Sequence, residues 1–250
     1  MTRVGFVGAG RMGLPMARRL AGSGHEVAVL GRSERKRKAL ADNGLAAVTS
    51  LPDVDVVVVC VFTDEQVREV CLDTALPRGA TVVVHTTGDP RTVEEIAARG
   101  HPVVDAPVSG GPHDIAAGRV TVFAGGTDAD IARVRPVLHA YADPVLHVGP
   151  LGAGQRVKLV NNALFAAQVG LVAAAVRLGE RLGVAEAVLL DALPHGSAAS
   201  RALTGVAARG SVAAFATAVG DFVGKDIDTV RAVAAELGAD LGALELAVHQ

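Results

Sequence analysis

The sequence predicts an α/β fold with a mainly parallel sheet, followed by a smaller region made only of helices. In the first 150 residues, short β-branched runs alternate with amphipathic helical patterns, and this alternation is typical of βαβ units. After Pro150 no convincing strand pattern follows, and helical patterns separated by glycines continue to Gln250. We therefore predict two domains, residues 1–150 and residues 151–250, joined near a Gly-Pro-Leu-Gly-Ala-Gly segment.

Each predicted element is supported by a local pattern. The run Val56–Val61 is apolar at every position, as expected for a strand that is covered on both faces. Asp89 followed by Pro90 is a good helix start, with a side-chain acceptor before a proline. The predicted strands are Arg3–Val7, Glu26–Leu30, Val56–Cys60, Thr81–Val84, Pro102–Asp105, Val120–Ala124 and Val145–Val148. The predicted helices are Met12–Ala21, Ser33–Asn43, Glu65–Leu72, Pro90–Ala98, Asp128–Tyr141 and one long helix over Gly152–Leu182.

Composition and charge exclude several classes of protein. The chain of 250 residues carries 24 Lys and Arg against 26 Asp and Glu, a formal charge of −2, and it has six Phe, one Tyr and no Trp. A nucleic-acid-binding protein would need a basic surface and aromatic platforms, so this class is not expected. Two cysteines, Cys60 and Cys71, are too few for a disulfide scaffold and indicate buried free thiols in a reducing, cytoplasmic compartment.

No membrane, targeting or metal-binding segment is expected. Glycines and arginines interrupt the N-terminal region where a secretory signal would lie. The most apolar stretch, Leu159–Val176, contains Asn161, Asn162 and Gln168, whereas a bilayer-spanning helix needs about 20 apolar residues with few polar ones. We predict that this helix is buried in protein.

A glycine-rich turn follows the first predicted strand and opens the first predicted helix. Gly8 permits a tight turn, Gly10 lets the backbone approach a pyrophosphate, and Gly13 lets the helix pack closely on the strand. An ordinary βα turn is the alternative, but the strand, the helix and the βαβ context together favour dinucleotide binding. The GxGxxG residues are Gly8, Ala9, Gly10, Arg11, Met12 and Gly13.

The end of the second predicted strand favours NADP(H), with NAD(H) also possible. An NAD-binding domain would place Asp or Glu there to accept from the ribose 2′-hydroxyl, whereas this chain has Gly31, Arg32 and Ser33. The Arg32 guanidinium suits a 2′-phosphate, and the Ser33 hydroxyl can donate to it. Arg35 and Lys36 would add positive field, although such a run of charge is usually a solvated helix face.

A second group of polar residues follows the strand at 102–105. The segment Asp105–Gly111 offers the Ser109 hydroxyl and the N–H groups of Gly110 and Gly111. Such an arrangement suits a small anion such as a carboxylate. Ser-Gly-Gly also occurs in ordinary turns, so an ordinary turn is the alternative to a substrate site for this segment.

Two pairs of polar residues lie in apolar helical surroundings. Lys158 and Asn162 are four residues apart and share one helix face, and Lys225–Asp226 is followed by Ile227 and preceded by Phe222 and Val223. Each lysine is either a surface side chain that extends its charge to water or a functional group beside a substrate-holding partner. The spacing alone leaves these two interpretations equally open.

Several ordered motifs over nearly the whole chain resemble the β-hydroxyacid dehydrogenase family, which includes 3-hydroxyisobutyrate dehydrogenases and tartronate semialdehyde reductases. Together they are highly specific, although any one alone is not. Gly5–Ala17 resembles the family's N-terminal signature, Thr86-Thr87 its pair on the nicotinamide side, Asp105–Gly111 its substrate-binding segment, Gly152–Asn162 its catalytic segment, and Lys225-Asp226 its C-terminal pair.

The resemblance implies a Rossmann-type N-terminal domain, a long helix and an all-helical second domain that forms a homodimer or a dimer of dimers. It implies a reductase of a small aldehyde- or keto-acid, or the reverse oxidation, with Lys158 as general acid/base; with Arg32 at the end of the second strand, we expect this reductase to prefer NADPH. By the same resemblance, Ser109, Gly110, Gly111 and Asn162 hold the substrate, Thr87 and Lys225 contact the cofactor, and Asp226 supports that region.

The sequence departs from the family's pattern at three places. Pro112-His113-Asp114 replaces the usual Val-x-Gly, Thr86 replaces Ser, and the sequence stops soon after Leu244–Ala247, so we expect a shortened helical domain.

Two alternative functions are kept: an imine or iminium reductase, and a cofactor-binding module without chemistry. Lys158 argues against the first, and Lys158, Asn162 and Ser109 together argue against the second.

Overall fold

The computed structural model describes residues 1–248, without the side chains of Asp221 and Phe222. The side chain of Phe222, predicted as one of the apolar neighbours of Lys225-Asp226, therefore lies outside the described residues. The strands are β1 Arg3–Val7, β2 Glu26–Leu30, β3 Ala46–Val48, β4 Val56–Val59, β5 Thr81–Val84, β6 Val103–Asp105, β7 Val108–Ser109, β8 Val120–Gly125 and β9 Ala142–Gly149. The helices are α1 Gly13–Gly22, α2 Glu34–Asp42, α3 Asp64–Cys71, α4 Pro90–Ala98, α5 Pro112–Ala116, α6 Asp128–Leu138, α7 Ala153–Arg181, α8 Glu186–Ala192, α9 Arg201–Arg209, α10 Val212–Glu236 and α11 Ala243–Val248, with a 3₁₀ turn at Leu193–His195.

The strands form one sheet in the order β3-β2-β1-β4-β5-β6-β8-β7, and β9 also pairs with β8. From β3 to β6 all neighbours are parallel, while β6 and β7 are antiparallel to β8. The order 3-2-1-4-5-6 is that of the doubly wound dinucleotide-binding fold, whose direction of winding reverses between β1 and β4. The predicted Rossmann-type domain is confirmed.

The sheet has a hydrophobic core on each face. Val56 and Val58 of β4 belong to one cluster with Phe6, while Val57 and Val59 belong to the other cluster with Val82. Successive side chains of a strand point to opposite faces, so four consecutive valines serve both cores. This confirms the prediction that the apolar run is a strand covered on both sides.

Side-chain caps begin helices α2, α3, α4 and α6. Thr63 and Gln66 form a reciprocal capping box at α3, and the Asp89 carboxylate accepts from the N–H of Arg91 with Pro90 in the first helical position. Three short elements within residues 1–150, β3, β7 and α5, were not predicted. They are five residues or fewer, too short to show a period in the sequence.

The chain divides into two compact units, Met1–Lys158 and Leu159–Gln250, and the division falls within α7. Among its described residues the second unit has helices joined by turns and no strand. Its two apolar clusters are centred on Val206 and Phe215, and on Leu159 and Ile227. The predicted long helix followed by a helical region is therefore confirmed.

By length and composition, α7 would be able to cross a membrane, although such helices also occur in the cores of soluble proteins. A third of the most apolar stretch of α7 is buried. In a single chain, this helix is therefore less fully buried in protein than we predict from the sequence. Among the described residues, α9 and the first part of α10 pass the same test only when taken together, and they are bent by 105°.

Candidate cofactor and substrate site

The sequence-predicted loops of the first unit lie at one edge of its sheet. Strands β1, β2, β4, β5 and β6 are mutually parallel, so their carboxyl ends share that edge. Ligands of open α/β sheets bind outside the carboxyl ends of the strands, where the winding reverses.

The glycine-rich turn after β1 has the shape that a dinucleotide needs. Gly8 has a φ of +95°, and a Cβ there would overlap the Cys60 carbonyl. A Cβ at Gly13 would overlap the Gly8 carbonyl, whereas a Cβ at Gly10 would meet no atom within 4 Å. Gly8 and Gly13 are therefore required by close backbone packing, and Gly10 faces open space where a ligand can approach.

The start of α1 suits an anion. Met12 precedes the helix and supplies no side-chain hydrogen bond, and no acidic residue lies in the first turn. The helix dipole and the N–H groups of the first turn favour negative charge there. The residues present thus fit the pyrophosphate of a dinucleotide.

The loop after β2 carries the residues expected at a 2′-phosphate. Arg32 Nη1 lies 3.5 Å from Glu69 Oε2, and the two side chains are 48% and 58% exposed. The Ser33 hydroxyl oxygen caps α2 by accepting from the N–H of Lys36 at 3.3 Å. Arg37, which follows Lys36 in the same run of charge, donates from Nη1 to the Gly31 carbonyl at 2.9 Å. A guanidinium beside the end of β2 was therefore missed, because the charge run concealed its inward direction.

The loop after β5 is held by hydrogen bonds on both sides of Thr87. Thr86 Oγ1 accepts from the N–H of Val61 at 3.1 Å and lies 3.0 Å from the Val61 carbonyl, to which it donates. The Gln155 side chain donates from Nε2 to the Thr86 carbonyl at 2.8 Å and accepts at Oε1 from the N–H of Gly88 at 3.1 Å. Gln155 is 1% exposed. Sequence analysis assigned no role to Gln155.

The first turn of α7, which precedes Lys158, is anchored by a buried carboxylate at the end of β6. Asp105 accepts at Oδ1 from the N–H of Gly152 and at Oδ2 from the N–H of Gln155, both at 2.7 Å. Burial raises the pKa of the Asp105 carboxyl to about 6, while these two N–H donors oppose the rise. A Cβ at Gly125 or Gly154 would overlap this carboxylate or its surroundings. The two glycines therefore leave the space that the carboxylate occupies.

The Ser109–Gly111 loop differs in one respect from the prediction. Ser109 is half-buried in β7, and Gly110 is exposed with a φ of +135°. The N–H of Gly111, however, donates to Asp114 Oδ2 at 2.8 Å. Asp114 stands where the family usually has Gly, so this chain's own carboxylate takes the donor that we expected a substrate to use. The Ser109 hydroxyl and the Gly110 N–H remain the candidates for binding a carboxylate.

Lys158 is half-buried in the second turn of α7. In the second unit, Asn162 Nδ2 donates to Asp226 Oδ2 at 2.5 Å, and Lys225 Nζ lies 2.8 Å from Asp226 Oδ1. Asp226 is buried and so orients both neighbours. The structure therefore brings Asn162, Lys225 and Asp226 together within the second unit.

Two buried polar groups lie near the loop after β5. His85 Nδ1 lies 2.5 Å from the Ala106 carbonyl, and its Nε2 lies 2.7 Å from Tyr141 Oη. Burial lowers the pKa of His85 to about 4, so the imidazole is neutral near pH 7, donating from Nδ1 and accepting from the tyrosine.

Burial also raises the pKa of Cys60 and of Cys71 to about 12, and both thiols are free. Within residues 1–248, no group of three or more His, Cys, Asp or Glu is arranged to hold a metal ion.

Comparison with known proteins agrees with a dinucleotide-binding fold. A family model described as the NAD binding domain of 6-phosphogluconate dehydrogenase matches residues 3–149. A second model, described as the NAD-binding of NADP-dependent 3-hydroxyisobutyrate dehydrogenase, matches residues 152–250. A probable 3-hydroxyisobutyrate dehydrogenase of Mycobacterium bovis is 36% identical over 203 residues, which cover 77% of this chain and 69% of that protein.

Solved structures of related enzymes have the same fold. The 3-hydroxyisobutyrate dehydrogenase of Mycobacterium tuberculosis with L-serine has a TM-score of 0.86 and 28% identity, covering 100% of this chain and 92% of that one. An imine reductase from Pseudomonas sp. has a TM-score of 0.66 and 21% identity, covering 99% of both chains. The second likeness shows the fold alone.

The dinucleotide-binding edge and these matches define an NAD(P)-dependent oxidoreductase. More narrowly, the chain belongs to the β-hydroxyacid dehydrogenase family, the one that its motifs resemble, and is an NAD(P)-dependent dehydrogenase acting on CH–OH groups.

Proposed function

We propose that this protein is an NADPH-preferring reductase that interconverts a small aldehyde- or keto-acid and its hydroxy acid, with Lys158 as the general acid/base. The observation that carries the proposal is the anchoring of the helix that bears Lys158. Asp105 and Gln155 bind the first turn of α7 to the ends of β5 and β6, at the edge where a dinucleotide binds. This anchoring supports a role in proton transfer at this edge for Lys158, one turn further along the helix.

Each residue has a defined task in this mechanism. The nicotinamide, when bound, supplies or accepts the hydride at the carbonyl carbon. Lys158 gives a proton to the carbonyl oxygen during reduction and removes it from the hydroxyl during oxidation. The Ser109 hydroxyl and the Gly110 N–H bind the substrate carboxylate. Asn162, oriented by Asp226, holds the substrate, and correct positioning of this kind contributes strongly to rate.

The relatives support a β-hydroxy acid as the substrate class. The related M. tuberculosis structure contains L-serine, which carries a hydroxyl on the β-carbon and a carboxylate. Arg32, with no acidic residue at the end of β2, supports NADPH over NADH. Free thiols whose pKa is raised by burial are compatible with a reducing compartment, and we place the protein in the cytoplasm.

The reaction class is tested with a panel of semialdehydes, keto acids and cyclic imines, each run with NADPH and with NADH. We expect turnover of one or more semialdehydes or keto acids, with NADPH preferred. Turnover of cyclic imines alone would instead assign an imine reductase. Cofactor binding without turnover of any member would assign a binding module.

The role of Lys158 is tested by Lys158→Ala and Lys158→Arg. Removal of a positioned acid/base costs about 10²–10⁴-fold in turnover, and arginine should not restore it because a guanidinium keeps its proton. Binding of NADPH, followed by fluorescence titration, should change little because the phosphate loop lies elsewhere in the unit.

Arg156→Ala is the matched control for Lys158. Arg156 is an exposed cation on the same helix, paired with Glu94 at 3.0 Å, and its loss should leave turnover near the wild-type rate. Wild-type turnover by Lys158→Ala would exclude the proposed acid/base role, even with the fold and the cofactor correct.

A further inference from the structure

We propose that Gln155 is a positioning residue. Its side chain fixes the loop around Thr87, on the nicotinamide side of the site, relative to Lys158. This inference rests on the proposed function for the role of Lys158. The two hydrogen bonds of the Gln155 side chain go to the carbonyl of Thr86 and the N–H of Gly88, the backbone groups on either side of Thr87. We call this pair of hydrogen bonds the Gln155 clamp.

The topology of the sheet places the nicotinamide near this loop. In a fold of this strand order the dinucleotide crosses the reversal point between β1 and β4. Arg32 at the end of β2 lies on the adenosine side, so the nicotinamide half extends over the ends of β4 and β5. Thr87 lies in the loop after β5, so the Gln155 clamp holds a loop on the nicotinamide half of the site.

The clamp is not needed to hold the start of α7. Asp105 already accepts from two N–H groups of that turn, Gly152 and Gln155. The Gln155 side chain instead reaches away from its own helix to a loop 69 residues earlier in the sequence. Its two bonds therefore fix the position of the Thr87 loop relative to the helix turn that precedes Lys158.

Only a side chain with a donor and an acceptor at this length can make both bonds. The carboxamide of Gln155 uses Nε2 as donor and Oε1 as acceptor, and the residue is 1% exposed. The Thr86 hydroxyl extends the connection to Val61 after β4. The clamp thus belongs to a buried network that joins the ends of β4, β5 and β6 to α7, and such networks rigidify a site when fully satisfied.

The experiment compares NADPH with 2′-phospho-ADP-ribose, which has the same phosphates and adenosine but no nicotinamide. Gln155→Leu should weaken NADPH binding by about tenfold, the worth of one or two buried hydrogen bonds. Binding of 2′-phospho-ADP-ribose should stay within about twofold of wild type, because its contacts do not reach the Thr87 loop. The kcat should fall by about 100-fold, as expected for misplacement of reacting groups by about 1 Å.

The matched control is Thr81→Val at the opposite end of β5. Thr81 is fully buried and its hydroxyl accepts from Arg133 Nη1 at 3.2 Å, so this isosteric change also removes a buried hydrogen bond. We expect lower stability with an unchanged ratio of the two affinities. A fall of both affinities together in Gln155→Leu, or no change in either, would overturn the proposal. The binding comparison needs no turnover, so its outcome is separate from that of the substrate panel.

If Gln155→Leu does not fold, the proposal is tested with Gln155→Met and with the wild-type protein. Methionine adapts its shape to irregular space and should give the same split between the two affinities. In the wild type, reciprocity of coupling means that NADPH slows hydrogen exchange at the Gly88 amide more than 2′-phospho-ADP-ribose does. Equal protection by the two ligands would contradict the clamp's role toward the nicotinamide.

Discussion

Arg32 is the residue on which the proposed cofactor preference depends. Its guanidinium is paired with Glu69, but both side chains are about half exposed and 3.5 Å apart. An exposed ion pair of this kind is worth about 0–1 kcal/mol, whereas a charge-assisted hydrogen bond to a phosphate is worth about 1.5–3 kcal/mol. A 2′-phosphate should therefore displace Glu69 from Arg32 at small cost.

Arg32→Asp should invert the preference between the cofactors. Loss of the phosphate contact weakens NADPH binding by on the order of 10–100-fold, and the new carboxylate can accept from the 2′-hydroxyl of NADH. Titration of both cofactors checks this. Glu69→Gln is the matched partner variant, and it should leave NADPH binding equal or up to about fivefold tighter, because the competing charge is gone. Equal affinities of the wild type for NADPH and NADH would contradict the assignment.

At the scale of elements, the first turn of α7 depends on a buried carboxylate, and the neighbouring loop contains a buried imidazole. The pKa of Asp105 is raised from 3.8 to about 6 by burial, and the pKa of His85 is lowered from 6.5 to about 4 by burial. Between about pH 4 and 6 the folded chain holds a proton on Asp105 that the unfolded chain has lost. Over the same range the unfolded chain holds a proton on His85 that the folded chain lacks.

These two groups should therefore have opposite effects on the pH dependence of stability. The contribution of Asp105 is present at low pH and is lost as the pH rises through about 6; that of His85 is present above about pH 6.5 and is lost as the pH falls toward 4. Each shift of about 2 pKa units corresponds to about 3 kcal/mol in the free energy of unfolding. In the wild type the two contributions largely cancel.

Single substitutions should reveal each contribution. In Asp105→Asn the remaining histidine makes the free energy of unfolding rise with pH between about 4 and 6.5, relative to wild type. In His85→Gln the remaining carboxyl makes it fall over about the same range. Urea unfolding at a series of pH values measures both slopes. If the free energy of unfolding of both variants changes with pH as that of the wild type does, Asp105 and His85 do not cause the pH dependence of stability.

At the scale of the whole molecule, the exposed side of α7 indicates self-association. Leu164, Leu171 and Leu178 are 47%, 56% and 51% exposed and follow one another at intervals of seven residues. A seven-residue apolar repeat forms a continuous stripe on a helix and is typical of helix pairing. We propose that this stripe is covered by a second copy of the chain, in the homodimer or dimer of dimers that the sequence predicts.

A charge within this stripe should separate the copies. Leu171→Glu would place a carboxylate in an apolar interface, where an unpaired charge is costly, so sedimentation should show the wild type as a dimer or tetramer and the variant as a monomer. Val188→Glu on α8 changes an exposed apolar residue outside the stripe and should leave the assembly intact. A wild type that sediments as a stable monomer at micromolar concentration would refute the assembly.

The sequence alone was sufficient for the fold class and most element positions, because each depends on local chemistry. The Val56–Val59 run predicts a strand with two covered faces, and the spacing of Gly8, Gly10 and Gly13 predicts a phosphate loop. Alternation of side chains in a strand, the helical period and the steric needs of a turn are properties of neighbouring residues. The role of Lys158 came from a resemblance rather than from spacing, and it stays a prediction.

Only the tertiary structure decided which polar groups meet. Gln155 binds backbone 67 and 69 residues earlier in the sequence, and Asp105 binds the start of α7 about 50 residues later. Arg37 turns inward from a run of surface charge, and Asp114 takes the N–H of Gly111. Partners so far apart are brought together by strand order and by the positions of loops at the sheet edge. A hydrogen bond forms within about 3 Å in space whatever the separation in sequence, so no local pattern contains this information.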